Sequence, residues 1–465
     1  MPDSPALAPA ARRRALCVIL LGLTLSVLDS AIMTLALPGI ARDLRVPAAH
    51  TIWVVNAYQV AVLSLLLPLA SLGDRVGYRR IYLAGLAMFT AAPLACMLAE
   101  SLAWLIAARA LQGLGAAGLM SVNAALLRTI FPPAQLGRVV ALNSAVIATA
   151  AVAGPPLAAV VLTFAPWPWL FAIHLPLGLA ILLLGLRALP PNAAPPPPGM
   201  ALSAVDVLLN VGMFALLFLG VETLGARAGT TAALPWSWGV AVLLAGLAVG
   251  ALYMRRQRRL QAPLFPLDLL RIPVFALSMG TSMAAFAAQT LAYIALPFLL
   301  LEAWGRSHLQ AGALMSAWPL AIVAMAPLAG RLIGRYPDGL LAACGQGLTA
   351  LGLLALALLP AQPGDADIAW RLALCGLGFG LFQAPNNHAI VTAPPPQRAG
   401  AGSGMLGTAR LTGQALGAVL LATLFGIVDP HGTQGPTAAL ALAAGFAAAS
   451  ALFSALRLRQ LAAPP

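Results

Sequence analysis

Long apolar stretches alternate with short polar segments along almost the whole chain. About 20 consecutive apolar residues let a helix cross a bilayer, and a helix satisfies its own backbone hydrogen bonds there. The pattern therefore predicts an all-α integral membrane protein with fourteen spans, at residues 15–38, 50–72, 79–98, 103–128, 137–161, 168–188, 202–222, 236–254, 273–300, 310–330, 338–360, 368–392, 399–425 and 437–457.

The arginines are unevenly distributed between the two sides of these spans. If both tails lie on one side, that side holds nineteen of the 26 arginines, and the other side holds only Arg42, Arg45, Arg227 and Arg306. Basic residues concentrate on the cytoplasmic side of membrane proteins. The distribution predicts an even number of spans with both termini in the cytoplasm.

Composition agrees with lipid as the solvent. The chain is 61% hydrophobic and has only 13 acidic residues, so a soluble globule of this length would lack polar residues to cover its surface. The net charge of +13 would suggest nucleic acid for a soluble protein, but here the charge lies between apolar segments and no nucleic-acid partner is expected. The cysteines and histidines show no metal-ligand spacing, and we expect no metal, no cofactor and no catalytic nucleophile.

An internal repeat divides the chain. The order of glycines from Arg109 to Gly118, followed by Pro132 and Pro133, recurs from Arg371 to Gly380, followed by Pro394 and Pro395. Two further segments upstream also match, and all the offsets fall between about 257 and 263 residues. Spans 1 to 6 and 9 to 14 are thus predicted repeats, with spans 7 and 8 inserted. We expect units at 1–188, 189–272 and 273–465, with a substrate cavity near the midplane between the outer two.

One loop is unusually rich in charge for this chain. Between spans 2 and 3 lie Gly73-Asp74-Arg75-Val76-Gly77-Tyr78-Arg79-Arg80. Glycines let the two helices approach each other, and a carboxylate and arginines can join neighbouring helix ends through charge-assisted hydrogen bonds. A gating loop is predicted, the alternative being an ordinary basic turn.

The loop resembles the one that joins spans 2 and 3 in the major facilitator superfamily. The whole chain is similar to the fourteen-span drug:proton antiporters of that superfamily, which include multidrug, quaternary-ammonium and methyl viologen efflux pumps. Six segments carry the resemblance: Leu28-Asp29-Ser30 to Pro38, Arg109-x-x-Gln112-Gly113-x-Gly115, Gly154-Pro155, Phe382 to Asn387, Ala409 to Gln414, and Trp167 to Pro176. In the last segment Pro168 and His174 depart from the family pattern, and alanines replace the glycines expected around Gly154.

Charged residues at membrane depth are costly and mark functional sites. Asp29 is the only carboxylate well inside a predicted span, so it could hold a proton or a cationic substrate, but not easily both. The resemblance implies a coupling role for Arg109 in span 4, with Arg410 in span 13 as a counterpart in the other half. The alternative for Asp29 and Arg109 is a structural hydrogen bond to a neighbouring helix.

Other residues are predicted to shape or line the cavity. Asn386 and Asn387 follow Pro385 and could expose polar groups, or could instead join helices. Tyr58 and Phe382 could stack on a lipophilic cation, and Gln112 belongs to the span 4 motif. Gly154 and Pro155 are interpreted as packing and bending elements.

These observations lead to one hypothesis and two alternatives. The hypothesis is a bacterial inner-membrane pump, monomeric and not an enzyme, which exports lipophilic cations in exchange for protons by alternating access. The first alternative is an exporter of a neutral or anionic metabolite. The second is an integral-membrane lipid enzyme, for which the sequence shows no nucleophile, metal cluster or facing pair of carboxylates.

Overall fold

The structure, a computed structural model, describes residues 8–191, 203–225, 236–260, 265–360, 362–394, 399–430 and 432–461. Within these ranges the chain forms fourteen long helices, numbered α1 to α14 in chain order. Their bounds are Pro9–Asp43, Ala48–Val76, Tyr78–Met97, Leu102–Ile130, Pro133–Phe164, Pro168–Ala188, Ala204–Gly225, Trp236–Gln257, Pro273–Ala303, His308–Leu332, Asp338–Ala357, Asp365–Thr392, Ala399–Ile427 and Gln434–Leu461.

Twelve helices in the described part of the chain are long and apolar enough to cross a membrane. The other two are α12 and α5, whose described apolar portion, Thr149–Phe164, is shorter than a full span. α12 carries Asp365 and Asp367 in its first turn and asparagines near its other end, and these lower its apolar character. The all-helical membrane architecture is confirmed, whereas the spanning of α5 and α12 stays a prediction.

Several helices are longer than the apolar runs that predicted them. α1, for example, begins at Pro9 and ends at Asp43, whereas its predicted span is 15–38. Hydropathy identifies only the part of a helix inside hydrocarbon, and a helix continues until a residue or cap ends it. At the end of α2 that residue is Gly77, whose φ of 98° suits glycine.

The helix contacts of the first six helices recur among the last six. α4 packs on α2 and α3, α1 packs on α5 and α6, and α3 packs on α6. The corresponding contacts are those of α12 with α10 and α11, α9 with α13 and α14, and α11 with α14. The two sets meet where α5 packs on α10 and α2 packs on α13. α7 and α8 pack on each other, and α7 also contacts α2 and α13.

Two glycines explain why matching helices approach so closely. A Cβ atom on Gly113 of α4 would lie 2.5 Å from the carbonyl oxygen of Tyr58 on α2. A Cβ atom on Gly376 of α12 would lie 2.2 Å from the carbonyl oxygen of Trp318 on α10. Any larger residue would separate these helices, so the repeated glycine pattern fixes the same contact at both places.

One end of the helix bundle is densely packed. A single cluster of buried residues there includes Leu37 of α1, Ala159 of α5, Phe298 of α9, Leu314 of α10 and Phe425 of α13. This end lies away from the loop Gly73–Arg80, whose side we call the arginine-rich side. Dense packing closes the opposite side because helices from both sets contribute to the same cluster.

Candidate functional site

Asp29 on α1 and Arg109 on α4 form an ion pair inside the helical core. Nη1 of Arg109 lies 3.0 Å from Oδ1 and 2.8 Å from Oδ2 of Asp29. The two side chains are buried, with relative exposures of 0% for Asp29 and 1% for Arg109. An unpaired buried charge is strongly destabilising, so each residue makes the other tolerable at this depth.

Further hydrogen bonds surround this pair. Nε of Arg109 donates to the carbonyl oxygen of Val54, at 3.0 Å. Gln112 accepts from Nη1 of Arg109 at 2.6 Å and donates from Nε2 to Oδ1 of Asp29 at 2.9 Å. The guanidinium carbon lies 4.6 Å from the centre of the Tyr58 ring. Because residues three apart share a helix face, the spacing Arg109-x-x-Gln112 directs both side chains to one carboxylate.

His174 on α6 is the third ionisable side chain of this group. Its Nδ1 lies 3.1 Å from the carbonyl oxygen of Leu170, which only accepts, so Nδ1 carries a proton. Nε2 then has no proton in the neutral ring, and it lies 3.6 Å from Oδ1 of Asp29. One added proton, on Nε2 or on the carboxylate, would turn two facing acceptors into a donor and an acceptor. The group of Asp29, Arg109 and His174 is therefore suited to bind a proton.

A cavity of about 710 Å³ lies between the two sets of helices. At the arginine-rich side it is lined by Asp74 and Arg128, which are exposed. Further in, it is lined by Leu23 of α1, Phe286 of α9 and Arg410 of α13. Since the opposite side is closed by packed helices, the structure is open towards the arginine-rich side.

Comparison with known proteins assigns the family. Residues 19–418 match the profile of the Major Facilitator Superfamily, and a second match covers 277–462. The chain belongs to this superfamily. It is 47% identical over 451 residues to the uncharacterized transporter YebQ of Escherichia coli (strain K12), covering 97% of this chain and 96% of that protein. The major facilitator described here is thus a multi-pass membrane transporter and not an enzyme.

Two further relatives are named for their cargo. The riboflavin transporter RibZ of Clostridioides difficile (strain 630) is 28% identical over 421 residues, covering 88% of this chain and 87% of RibZ. The multidrug resistance protein Stp of Mycobacterium tuberculosis (strain CDC 1551 / Oshkosh) is 31% identical over 418 residues, covering 88% of this chain and 76% of Stp.

Of the residues predicted to line the cavity of this major facilitator, the structure places two there. Asn387 and Arg410 line it. Asn386 faces α9 instead, where its Nδ2 donates to Oγ of Ser282 at 2.7 Å. Phe382 is fully buried in an aromatic cluster whose member Phe286 reaches the cavity.

Tyr58 and Gln112 also lie outside the cavity wall, because both belong to the surroundings of the ion pair. The hydroxyl group of Tyr58 is 3.0 Å from Oγ of Ser26. Adjacent residues such as Asn386 and Asn387 point in different directions around the helix axis, so only one of the two side chains faces the cavity. Hydropathy is the same for both residues and does not predict which one it is.

The loop Gly73–Arg80 is bonded to its own set of helices. Oδ1 of Asp74 accepts from the hydroxyl group of Tyr78 at 2.7 Å. Nη2 of Arg79 donates to the carbonyl oxygen of Leu186 at the end of α6. No arginine of the described chain lies in ion-pair contact with Asp74, and a latch to the other set of helices stays a prediction. Gly73 packs on Val122 of α4, 2.7 Å from where its Cβ would lie.

Gly154 and Pro155 lie at two helix contacts. A Cβ atom on Gly154 would lie 2.3 Å from Cβ of Ala31 on α1. The carbonyl oxygen of Pro155 lies 2.8 Å from the position of a Cβ on Gly312 of α10. This part of α5 therefore joins α1 to α10.

His174 is the residue that sequence reasoning did not assign to the site. Its signal was the departure of His174 from the family pattern in span 6. A titratable residue at membrane depth indicates a function by the same rule that selected Asp29, but only the fold shows that the two side chains face each other.

Proposed function

We propose that this major facilitator is a proton-coupled exporter of lipophilic compounds that works by alternating access, as the fourteen-span drug:proton antiporters do. The observation that carries the proposal is the contact of His174 with the buried pair of Asp29 and Arg109. The group is buried, and a proton can bind there without accompanying water. Its binding changes the charge at the point where α1, α4 and α6 meet.

Protonation supplies a physical reason for the conformational change. With Asp29 ionised, Arg109 on α4 is joined to Asp29 on α1 by short hydrogen bonds. A proton shared by Asp29 and His174 weakens the attraction to Arg109, since the carboxylate loses its net charge. The helices that the pair joins then separate more easily, which favours the other orientation of the cavity.

We propose that the units 1–188 and 273–465 rotate about the cavity, while spans 7 and 8, within 189–272, accompany them. The repeated contacts of α1 to α6 and α9 to α14 support this division. On the positive-inside rule the arginine-rich side is cytoplasmic and both termini are inside. The protein is proposed to act as a monomer in the bacterial inner membrane.

The cargo proposed here is a lipophilic drug or metabolite. The name of Stp supports drugs and that of RibZ supports a larger heterocyclic compound. A lipophilic cation stays the prediction from Asp29, but in the present conformation that carboxylate is bonded to Arg109, and a cation would have to displace it. A neutral or anionic compound needs no such exchange, and this favours the alternative.

The test is transport into inverted vesicles from cells that lack their own drug pumps. A panel of fluorescent cationic, neutral and anionic compounds is supplied with a proton gradient, with and without a protonophore. We expect gradient-driven accumulation of at least one compound by the wild-type protein. Asp29→Asn should abolish it at equal expression.

The matched control is Asp43→Asn, the same substitution at an exposed position at the end of the same helix. It should transport as the wild type does. Accumulation that survives both the protonophore and Asp29→Asn would refute proton coupling.

A further inference from the structure

We infer that the cavity binds amphipathic compounds carrying an acidic group, and that Arg410 is the residue that holds this group. The inference rests on the proposed function in taking this cavity as the transport site. It goes further in assigning the charge of the cargo and the residue that recognises it.

Arg410 differs from the other two arginines buried deep in the helices. Arg109 is neutralised by Asp29, and Arg457 of α14 donates to Oγ of Ser278 at 2.7 Å. The Nε atoms of Arg410 and Arg457 are both buried without a partner, but Arg457 donates from its other nitrogens, whereas Arg410 makes no hydrogen bond or ion pair with another residue of the described chain. A guanidinium with free donors in a membrane cavity is costly unless an anion or water satisfies it.

The other charges at the cavity do not favour a cation. Asp74 and Arg128 are both at the exposed end, and Asp74 already accepts from Tyr78. Asp29 does not line the cavity and is paired with Arg109. Among the residues that the structure describes, the inner part of the cavity therefore contains one uncompensated positive charge, which attracts an anionic group and repels a cation.

The rest of the wall suits the apolar body of such a compound. Leu23, Leu66 and Phe286 supply apolar surface, whereas Gln383 and Asn387 supply hydrogen-bonding groups to the same cavity as Arg410. The volume of about 710 Å³ lies within the range of pockets that enclose drug-sized ligands. Planar carboxylates match the guanidinium geometrically, because two parallel N–H groups can donate to two oxygens.

The experiment measures binding to the purified full-length protein in nanodiscs of neutral lipid, with no proton gradient. The probes are 1-pyrenebutyrate, its methyl ester and a pyrenebutyl-trimethylammonium, which share the apolar body and differ in charge. Binding is followed by energy transfer from tryptophan to pyrene. We expect wild-type protein to bind the carboxylate about tenfold more tightly than the ester, as for a charge-assisted hydrogen bond.

Arg410→Gln should reduce the ratio of the dissociation constants of the ester and the carboxylate to about one. Arg410→Lys should keep part of the preference for the carboxylate. The control Arg335→Gln removes an exposed arginine outside the cavity and should leave the ratio unchanged. Lipid partition of each probe is the same for all variants, so it cannot produce a difference between them. If Arg410→Gln does not fold, the comparison of the ratios of Arg410→Lys and the wild type tests whether Arg410 recognises the carboxylate.

A wild-type ratio near one, an unchanged ratio in Arg410→Gln, or tighter binding of the trimethylammonium probe would overturn the inference. Because no gradient is applied, this result is independent of proton coupling. Selective binding of the carboxylate without gradient-driven transport would refute the proposed function and leave the anion site standing.

Discussion

At the scale of residues, function depends on how a few charges are satisfied. Asp29, Arg109 and Gln112 are joined by hydrogen bonds, and Nε2 of His174 lies 3.6 Å from Oδ1 of Asp29. A hydrogen-bonded set of buried polar groups is sensitive to the loss of any member, since the remaining ones keep their desolvation cost.

Asp29→Asn should destabilise the protein as well as uncouple it, because Arg109 is left with an uncompensated buried charge. The expected loss in unfolding free energy is about 3–5 kcal/mol, seen as a lower temperature of thermal unfolding in detergent. The double variant Asp29→Asn with Arg109→Gln should recover most of that stability but no proton-driven transport. Equal instability of the double and single variants would contradict the ion-pair explanation.

His174→Asn tests the shared proton directly. The imidazole Nε2 and the Asp29 carboxylate can hold one proton between them, whereas an asparagine at this position can donate to the carboxylate and stabilise its charged form. The pH of half-maximal transport should therefore fall by about one unit, the equivalent of one charge-assisted hydrogen bond.

A matched control for this change is His388→Asn. His388 is half exposed and bonds Asp338 at 2.7 Å, outside the proton site. We expect its pH profile to match that of the wild type. An unshifted profile in His174→Asn would exclude His174 from proton binding.

At the scale of elements, glycines set how closely helices meet. The contact of α5 with α1 at Gly154 has no room for a methyl group, because Cβ of Ala31 occupies the space. The contacts at Gly113 and Gly376 follow the same physical rule, and van der Waals packing of this kind joins helices in lipid.

Gly154→Ala should cost about 1–3 kcal/mol through overpacking, with lower thermal stability in detergent. Ala31→Gly removes the opposing Cβ, so the double variant should regain most of the loss. Gly347→Ala is the control, since nothing lies within 4 Å of a Cβ at that position. Additive losses in the double variant would contradict a direct clash between α1 and α5.

At the scale of the whole molecule, the structure has one open and one closed side. The cavity reaches the arginine-rich side, whereas the opposite side is filled by a cluster to which both sets of helices contribute. Alternating access requires this asymmetry to reverse during transport.

In a cysteine-free background, Asn387→Cys should react with a membrane-impermeant maleimide supplied from the arginine-rich side. Leu299→Cys, buried in the closed cluster, should not react from either side at rest. Comparing inverted and right-side-out vesicles also determines which side is cytoplasmic. Labelling of Asn387→Cys only from the side opposite the loop Gly73–Arg80 would contradict the conformation described here.

The sequence by itself determined the membrane class, most of the helices and the family. These properties depend on runs of apolar residues and on local motifs, both of which are readable without tertiary contacts. It also selected Asp29, Arg109 and Arg410, because ionisable residues are conspicuous in apolar surroundings.

Only the tertiary structure decided which of those charges are paired and which face the cavity. Asp29 and Arg109 are 80 residues apart in sequence, yet they bond directly, and His174 joins them from a third helix. Within the described chain Arg410 makes no hydrogen bond or ion pair, a property that no spacing in the sequence encodes. Pairing depends on the rotation and depth of each helix, which are fixed by packing against its neighbours.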